Sequence, residues 1–196
     1  MIFDLLPGCA QLAVAADAAA EDDGFTGISE AELVGLMCAW DRVEAHAVAR
    51  KLAAIAELAR RNPKPEDQEF IADEVAHALA ESRGRAEVLI DLAQTLGTRL
   101  PGTRAGLDDG TITRYKAEII ARATALLEDA EARAAEDKVL DRAARLTPGG
   151  LRAAIASAVM EVAPEKARER REAAVGAGPG RPLAGSRPSP RCRPKP

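Results

Sequence analysis

The stretch between Ser29 and Pro63 constrains this chain most. Ser29 and Glu32 stand at the spacing of a capping box, in which each side chain satisfies the other residue's backbone N–H. Leu33, Leu36, Trp40, Val43, Ala47, Ala54 and Leu58 follow in steps that trace most of the apolar stripe of an amphipathic helix. Arg50, Lys51, Arg60 and Arg61 are left for the solvated side, and Pro63, reinforced by Pro65, ends the run. A helix over 30–61 is long for a globular domain, so it is expected either to bend or to pair along its length with another long helix. Alanine at 43 of 196 positions suits helices, and 3% aromatic residues is too few for a β core.

Further helices follow the same logic. One is expected from Glu66 to about Ala80, with Phe70, Val75, Ala76 and Leu79 as its apolar positions. A second runs from Arg83 to about Leu96 on the stripe Ala86, Leu89, Ile90, Ala93 and Leu96. Residues 103–113 read as a linker that turns at Asp108-Asp109-Gly110. Thr113 caps a second long helix over 114–145, with Ile119, Ile120, Ala123, Leu126, Leu127, Ala130 and Ala134 on its face. Thr147-Pro148 starts a helix over 148–163, since a hydroxyl cap precedes a proline at the first helical position. A charged helical candidate spans 165–174. The expected fold is all-α, an irregular bundle of five to seven helices with two long ones and a kinked helix-turn-helix-like segment. Three regions are expected: an acidic, alanine-rich segment at 1–28 with a loosely attached helix, a helical domain at 29–175, and a disordered tail at 176–196.

Residues 72–91 carry the helix-turn-helix pattern. Val75, Ala76 and Leu79 pack the first helix, Ser82 caps the second, and Ala86 and Leu89 pack it back, with small Ala76 permitting close approach. Ala80 holds the turn position where glycine is usual, at a cost of about 1 kcal/mol for a left-handed backbone. Arg83 and Arg85 stand at the start of the second helix, where arginines contact phosphates or guanine edges. Glu81, Glu87 and Asp91 place negative charge beside them. Two readings stay open here: a DNA-contacting element, and a kinked hairpin inside a bundle.

Charge is divided along the chain. Residues 176–196 hold five basic and no acidic residues, whereas 1–175 hold 22 basic and 31 acidic, a net of −9. Binding to a polyanion must therefore be local. The tail has proline or glycine at ten of 21 positions. Its Arg181, Arg187, Arg191, Arg193 and Lys195 offer sequence-blind attraction to nucleic acid, while Gly180-Arg181-Pro182 is only part of a minor-groove hook. Cys9, Cys38 and Cys192 form no disulfide framework, which fits a reducing compartment and an expected cytoplasmic location. Asp4 stands where a signal peptide needs basic residues, and no run of eighteen apolar residues offers a membrane span.

Chemistry finds few residues to work with. His46 and His77 are the only histidines and have no cysteine near them in sequence. Glu118 has no Glu-x-x-His partner of the kind that bundle metal sites use. Asp108-Asp109-Gly110 lacks the spacing of a calcium loop, and neither a phosphate loop nor a dinucleotide fingerprint occurs. No catalytic residue, metal ligand or cofactor is assigned.

Three segments carry a resemblance: CAWDRVEAHAVARKLAAIAELARR (38–61), the stretch 70–124 that opens FIADEVAHAL, and LTPGGLRAAIASAVMEVAPEKARERREAA (146–174). With LPGT, the DG-x-I-T turn and LTPGGL in order, residues 28–175 resemble the DUF222 domain of actinobacteria, the 13E12 repeat family. In that family the helical domain commonly precedes an HNH nuclease domain, and it brings no catalytic residues of its own. A nuclease of that type needs histidines and an orienting asparagine, but no histidine follows His77 and the only asparagine is Asn62. The abrupt Arg/Pro/Gly tail is expected from a truncation or a shifted reading frame, and equally from a natural short paralogue. The leading expectation is a non-catalytic helical module, or a non-functional remnant of one, that positions nucleic acid or a partner for a nuclease; if double-stranded DNA is touched, Arg83 and Arg85 are the expected contacts, with Arg99 and Arg104 on phosphates. The second is an interaction or oligomerisation module, docking itself or another helical protein through an apolar edge of 148–163. No membrane partner is expected.

Overall fold

The structure is a computed structural model that describes residues 6–19 and 24–165. Eight α-helices run through them: α1 (Ala10–Ala18), α2 (Glu30–Arg61), α3 (Pro65–Leu79), α4 (Arg83–Thr98), α5 (Pro101–Asp108), α6 (Arg114–Ala123), α7 (Asp129–Ala143) and α8 (Pro148–Val162). The fold is an all-α, irregular multi-helix bundle. The helical candidate at 165–174 and the tail at 176–196 lie outside the described residues, apart from Glu165.

Local start signals act as the sequence implies. Ser29 accepts from the Glu32 N–H, and the Glu32 carboxylate takes the Ser29 N–H at 3.0 Å. Ser82, Thr113 and Thr147 each accept the N–H three residues on, opening α4, α6 and α8. Pro65, Pro101 and Pro148 sit in first turns, where a missing N–H costs nothing.

Two expectations are corrected by long-range contacts. The single helix over 114–145 is two helices, α6 and α7. Arg99, at the end of α4, reaches across and donates to the carbonyls of Thr124 and Leu127 while pairing with Asp129 at 2.9 Å. Carbonyls held this way from outside let the backbone turn, and Leu127 goes into the core. Residues 103–113 are not simply a linker, because α5 occupies Pro101–Asp108. The N-terminus of α5 is capped by Glu136 of α7, whose two oxygens accept from the Gly102 N–H at 3.2 Å and the Thr103 N–H at 2.6 Å. A side chain at Gly102 would run into Leu140 and Glu136, so glycine is required there.

The main core lies between the second half of α2 and the helices that follow. Val48, Leu52, Ile55 and Ala59 are buried on α2, whereas Ala47 and Ala54, expected on the inner stripe, are exposed. Ile71, Ala72 and Val75 bury one side of α3, and Phe70 points outward with 73% of its surface free. α4 packs against α2 and α3; α8 packs against α6 and α7. Leu151, Ile155, Ala158 and Val159 are therefore core, and what stays exposed of the apolar residues of α8 is Ala153, Ala156 and Met160. Lys116 Nζ binds the carbonyls of Ala143 and Ala144, placing a cation at the negative end of α7.

A second, smaller core is built on the first half of α2. Leu12 and Ala16 of α1 meet Leu36 and Ala39, with Leu6, Cys9 and Val43 around them. α1 is thus packed on α2, more closely than a loosely attached helix would be. Its lead-in is pinned where the Gly8 N–H donates to the Asp109 carbonyl at 2.8 Å. Gly110, at φ +76°, lies so close to Arg42 that a Cβ would fall 2.7 Å from that residue's own Cβ.

Glu136 is 1% exposed, so its removal leaves two α5 N–H groups without partners. Glu136→Ala is expected to lower unfolding free energy by about 3 kcal/mol in urea denaturation. Glu136→Gln should lose less, because its amide offers one acceptor oxygen for the two donors. An unchanged Glu136→Ala midpoint would contradict the capping role.

Candidate functional site

A tight turn joins α3 to α4, and the two helices pack on each other. α3 ends with Ala80 in the left-handed region, φ 52° and ψ 39°. The Glu81 N–H returns to the Ala76 carbonyl at 2.9 Å and the Ala80 N–H to that of His77 at 3.3 Å, a Schellman turn built on alanine. Ser82 then caps α4.

The candidate arginines are not brought together as a DNA-reading set. Arg83 pairs with Asp73 at 3.2 Å, Glu87 at 3.1 Å and Glu69 at 3.6 Å. Its hydrogen bond to Glu87, with the charges of Asp73 and Glu69, holds the guanidinium more firmly protonated than usual. Arg99 clasps the α6–α7 connection. Arg85 lines a hollow of about 420 Å³ with Asp41, Glu44, Thr113, Tyr115 and Glu118. Arg104 stands apart, on a groove of about 650 Å³ between α2 and the α4–α5 corner, with Ala53, Ala56, Arg60 and Leu107. On that rim Arg60 and Arg61 bind Glu57 and hold its carboxyl down to about 2. The solvent face of α4 presents Glu87, Val88 and Asp91. Arg181, Arg187, Arg191, Arg193 and Lys195 lie outside the described residues.

The histidines do not assemble a site. His46 Nδ1 lies 2.7 Å from the Asp108 carbonyl and 3.4 Å from that residue's carboxylate, tying α2 to the end of α5. His77 is exposed on α3. Among the described residues no group of three or more His, Cys, Asp or Glu is placed to hold a metal ion. No helix among them is long and apolar enough to cross a membrane.

A surface outside the expected stripe lies on the first half of α2. Val34 is 59% exposed, Met37 70% and Trp40 38%, and Phe25 beside them is 59% exposed. Phe25, Leu33, Leu36, Met37 and Trp40 form an apolar hollow of about 520 Å³ walled by Asp41 and Glu44. The same two carboxylates wall the Arg85 hollow, so the two depressions adjoin, and Tyr115 and Glu118 lie on the far side. The signal was available: Leu33, Val34, Leu36, Met37 and Trp40 cover more than one face of a helix. α1 buries one of those faces, and the other stays open.

A family model described as Domain of unknown function (DUF222) matches residues 39–182. Neither a curated protein nor a solved structure matches the chain. Within the matched range, the motifs that carry the resemblance do structural work. LPGT opens α5 under the Glu136 cap, the DG-x-I-T stretch forms the turn at Gly110, and LTPGGL opens α8.

Ala80 carries a left-handed backbone without glycine's freedom. Ala80→Gly is expected to raise stability by about 0.5–1 kcal/mol, measured by thermal or urea unfolding. A loss of stability would show that the α3–α4 turn does not take this conformation.

Proposed function

The chain belongs to the DUF222 family, and on that premise we propose that it is a non-catalytic helical module that docks a protein segment on the first half of α2. One observation carries this: Phe25, Leu33, Leu36, Met37 and Trp40 line one open apolar hollow, and Val34 is exposed on the same half of α2, whose adjoining side is already covered by α1. Contiguous apolar surface on a folded domain marks a place for a partner, and Met and aromatic residues are enriched in such places. The flanking carboxylates Asp41 and Glu44 have no ion-pair partner among the described residues, which favours a basic segment.

The non-catalytic part is supported by chemistry. One histidine is engaged with a backbone carbonyl, the other stands alone on a surface, and the described acidic residues do not converge in threes. A second reading, the positioning of double-stranded DNA by α3 and α4, is favoured by the turn at Ala80. It is opposed by the neutralised Arg83 and by Glu87 and Asp91 on the face that would enter a groove.

A photo-crosslinking side chain placed at Met37 tests the docking reading, with one at Arg50 on the solvated side as control. A discrete protein adduct from position 37, inter- or intramolecular and lost on Leu33→Asp, is the expected result. Equal labelling from both positions, or none, would contradict docking on this face. In a parallel duplex-DNA mobility assay, Arg83→Glu with Arg85→Glu should leave any retention unchanged. A steep loss would favour DNA positioning instead.

A further inference from the structure

We propose that the segment seated on this face is the chain's own arginine- and proline-rich stretch, residues 181–196; the inference rests on the docking reading above. Four observations carry it.

The first is charge. Residues 166–196 contain nine basic and two acidic residues, while 1–165 contain 18 basic and 29 acidic. The stretch 181–196 alone has five basic residues, five prolines and no acid. The apolar hollow on α2 is walled by Asp41 and Glu44 and has no basic residue among its described lining residues; Arg85 and Arg114 stand on the far side of the same two carboxylates, in the adjoining hollow. The two are complementary in sign.

The second is the kind of surface. Aromatic grooves with flanking carboxylates suit proline and arginine together. Proline rings pack flat on aromatic faces, and guanidinium groups stack on rings and pair with carboxylates. Trp40 and Phe25 supply the aromatic faces here. The same domain already seats an arginine this way: the Arg152 guanidinium lies 5.3 Å from the Tyr115 ring centre and donates to its hydroxyl.

The third is reach. The described chain stops at Glu165, just past α8. The 22 residues from there to Arg187 span up to about 70 Å when extended. A domain of this size has a radius of gyration of about 15 Å. Any face of the domain is therefore within range, and the tether gives an effective concentration on the order of millimolar, so modest intrinsic affinity suffices.

The fourth sets aside the nearest alternative, a second copy of α2 on the same face. An antiparallel pair centred on Met37 would bring Glu30 against Glu44 of the other copy at both ends of the seam, with Glu32 opposite Arg42. Like charges in register oppose that arrangement. Under the proposal the face is self-covered, and an external partner must displace the stretch.

Trp40 is the only tryptophan, so its fluorescence reports on this hollow alone. The experiment compares acrylamide quenching in the full chain and in the full-length variant Arg187→Glu/Arg191→Glu/Arg193→Glu, with circular dichroism confirming equal helicity. Quenching of the native chain should be about twofold weaker than that of the variant at low salt. The difference should close at about 1 M salt, where the Debye length is about 3 Å. A synthetic peptide of residues 181–196 added to the variant should restore protection. Equal quenching of both chains at every salt concentration overturns the proposal. Protection that grows with protein concentration also overturns it, because the segment would then come from another copy. If quenching is equal while the Met37 crosslink persists, this occupant falls and the docking reading stands; if the crosslink is absent, both fall.

Discussion

Val48, Leu52, Ile55 and Ala59 run along one side of α2, which packs on α4 and α5, and α6 and α7 are carried in turn by those two helices. Burying such side chains contributes about 1.5–3 kcal/mol for each large aliphatic one, so the seam holds the second half of a 32-residue helix firmly. The first half extends beyond it and is covered by α1 on one side, with the turn at Gly110 against Arg42. A long helix loaded at one end in this way has surface to spare at the other. The surplus is where Val34, Met37 and Trp40 lie.

Around the seam, polar side chains do at long range what local sequence does elsewhere. Arg99 substitutes for helical partners where α6 stops and α7 begins. Glu136 substitutes for a cap at the start of α5, a helix of only eight residues that gains little from propensity alone. His46 and the Gly8 N–H tie down the turn after α5. Arg99 and Arg83 thus belong to the architecture, with carbonyls and carboxylates already around them.

Much of the fold was legible, and the part that was not has a common cause. Ser29, Ser82, Thr113 and Thr147 announced their helices because a cap needs only the next three residues. The turn at Ala80 was legible for the same reason. The break between α6 and α7 was hidden, because Thr124 to Glu128 contains neither glycine nor proline and Arg99 imposes the turn from 25 residues away. α5 was hidden although Pro101 marked its start, since its cap comes from Glu136, 33 residues after Thr103. On α2 the stripe drifted: alanine occurs on inner and outer faces alike, so Ala47 and Ala54 read as inner when Ala45 and Ala49 are. The exposed apolar face was missed because Trp40 and Leu33 were assigned wholly to the core, whereas the half-helix that bears them is apolar on two sides. The LPGT, DG-x-I-T and LTPGGL motifs identified the family because they form turns and caps that the fold needs, and for that reason they do not point to a site.

α2 is one helix with two kinds of surroundings, a core-bound half and a half that carries an exposed apolar face. Native-state amide hydrogen exchange along α2 measures this directly. Residues 48–59 should exchange only through global unfolding, while residues 34–43 should be at least about tenfold less protected, opening with α1 as a smaller unit. Equal protection along the whole of α2 would show that its first half belongs to the same cooperative core, and would contradict the account.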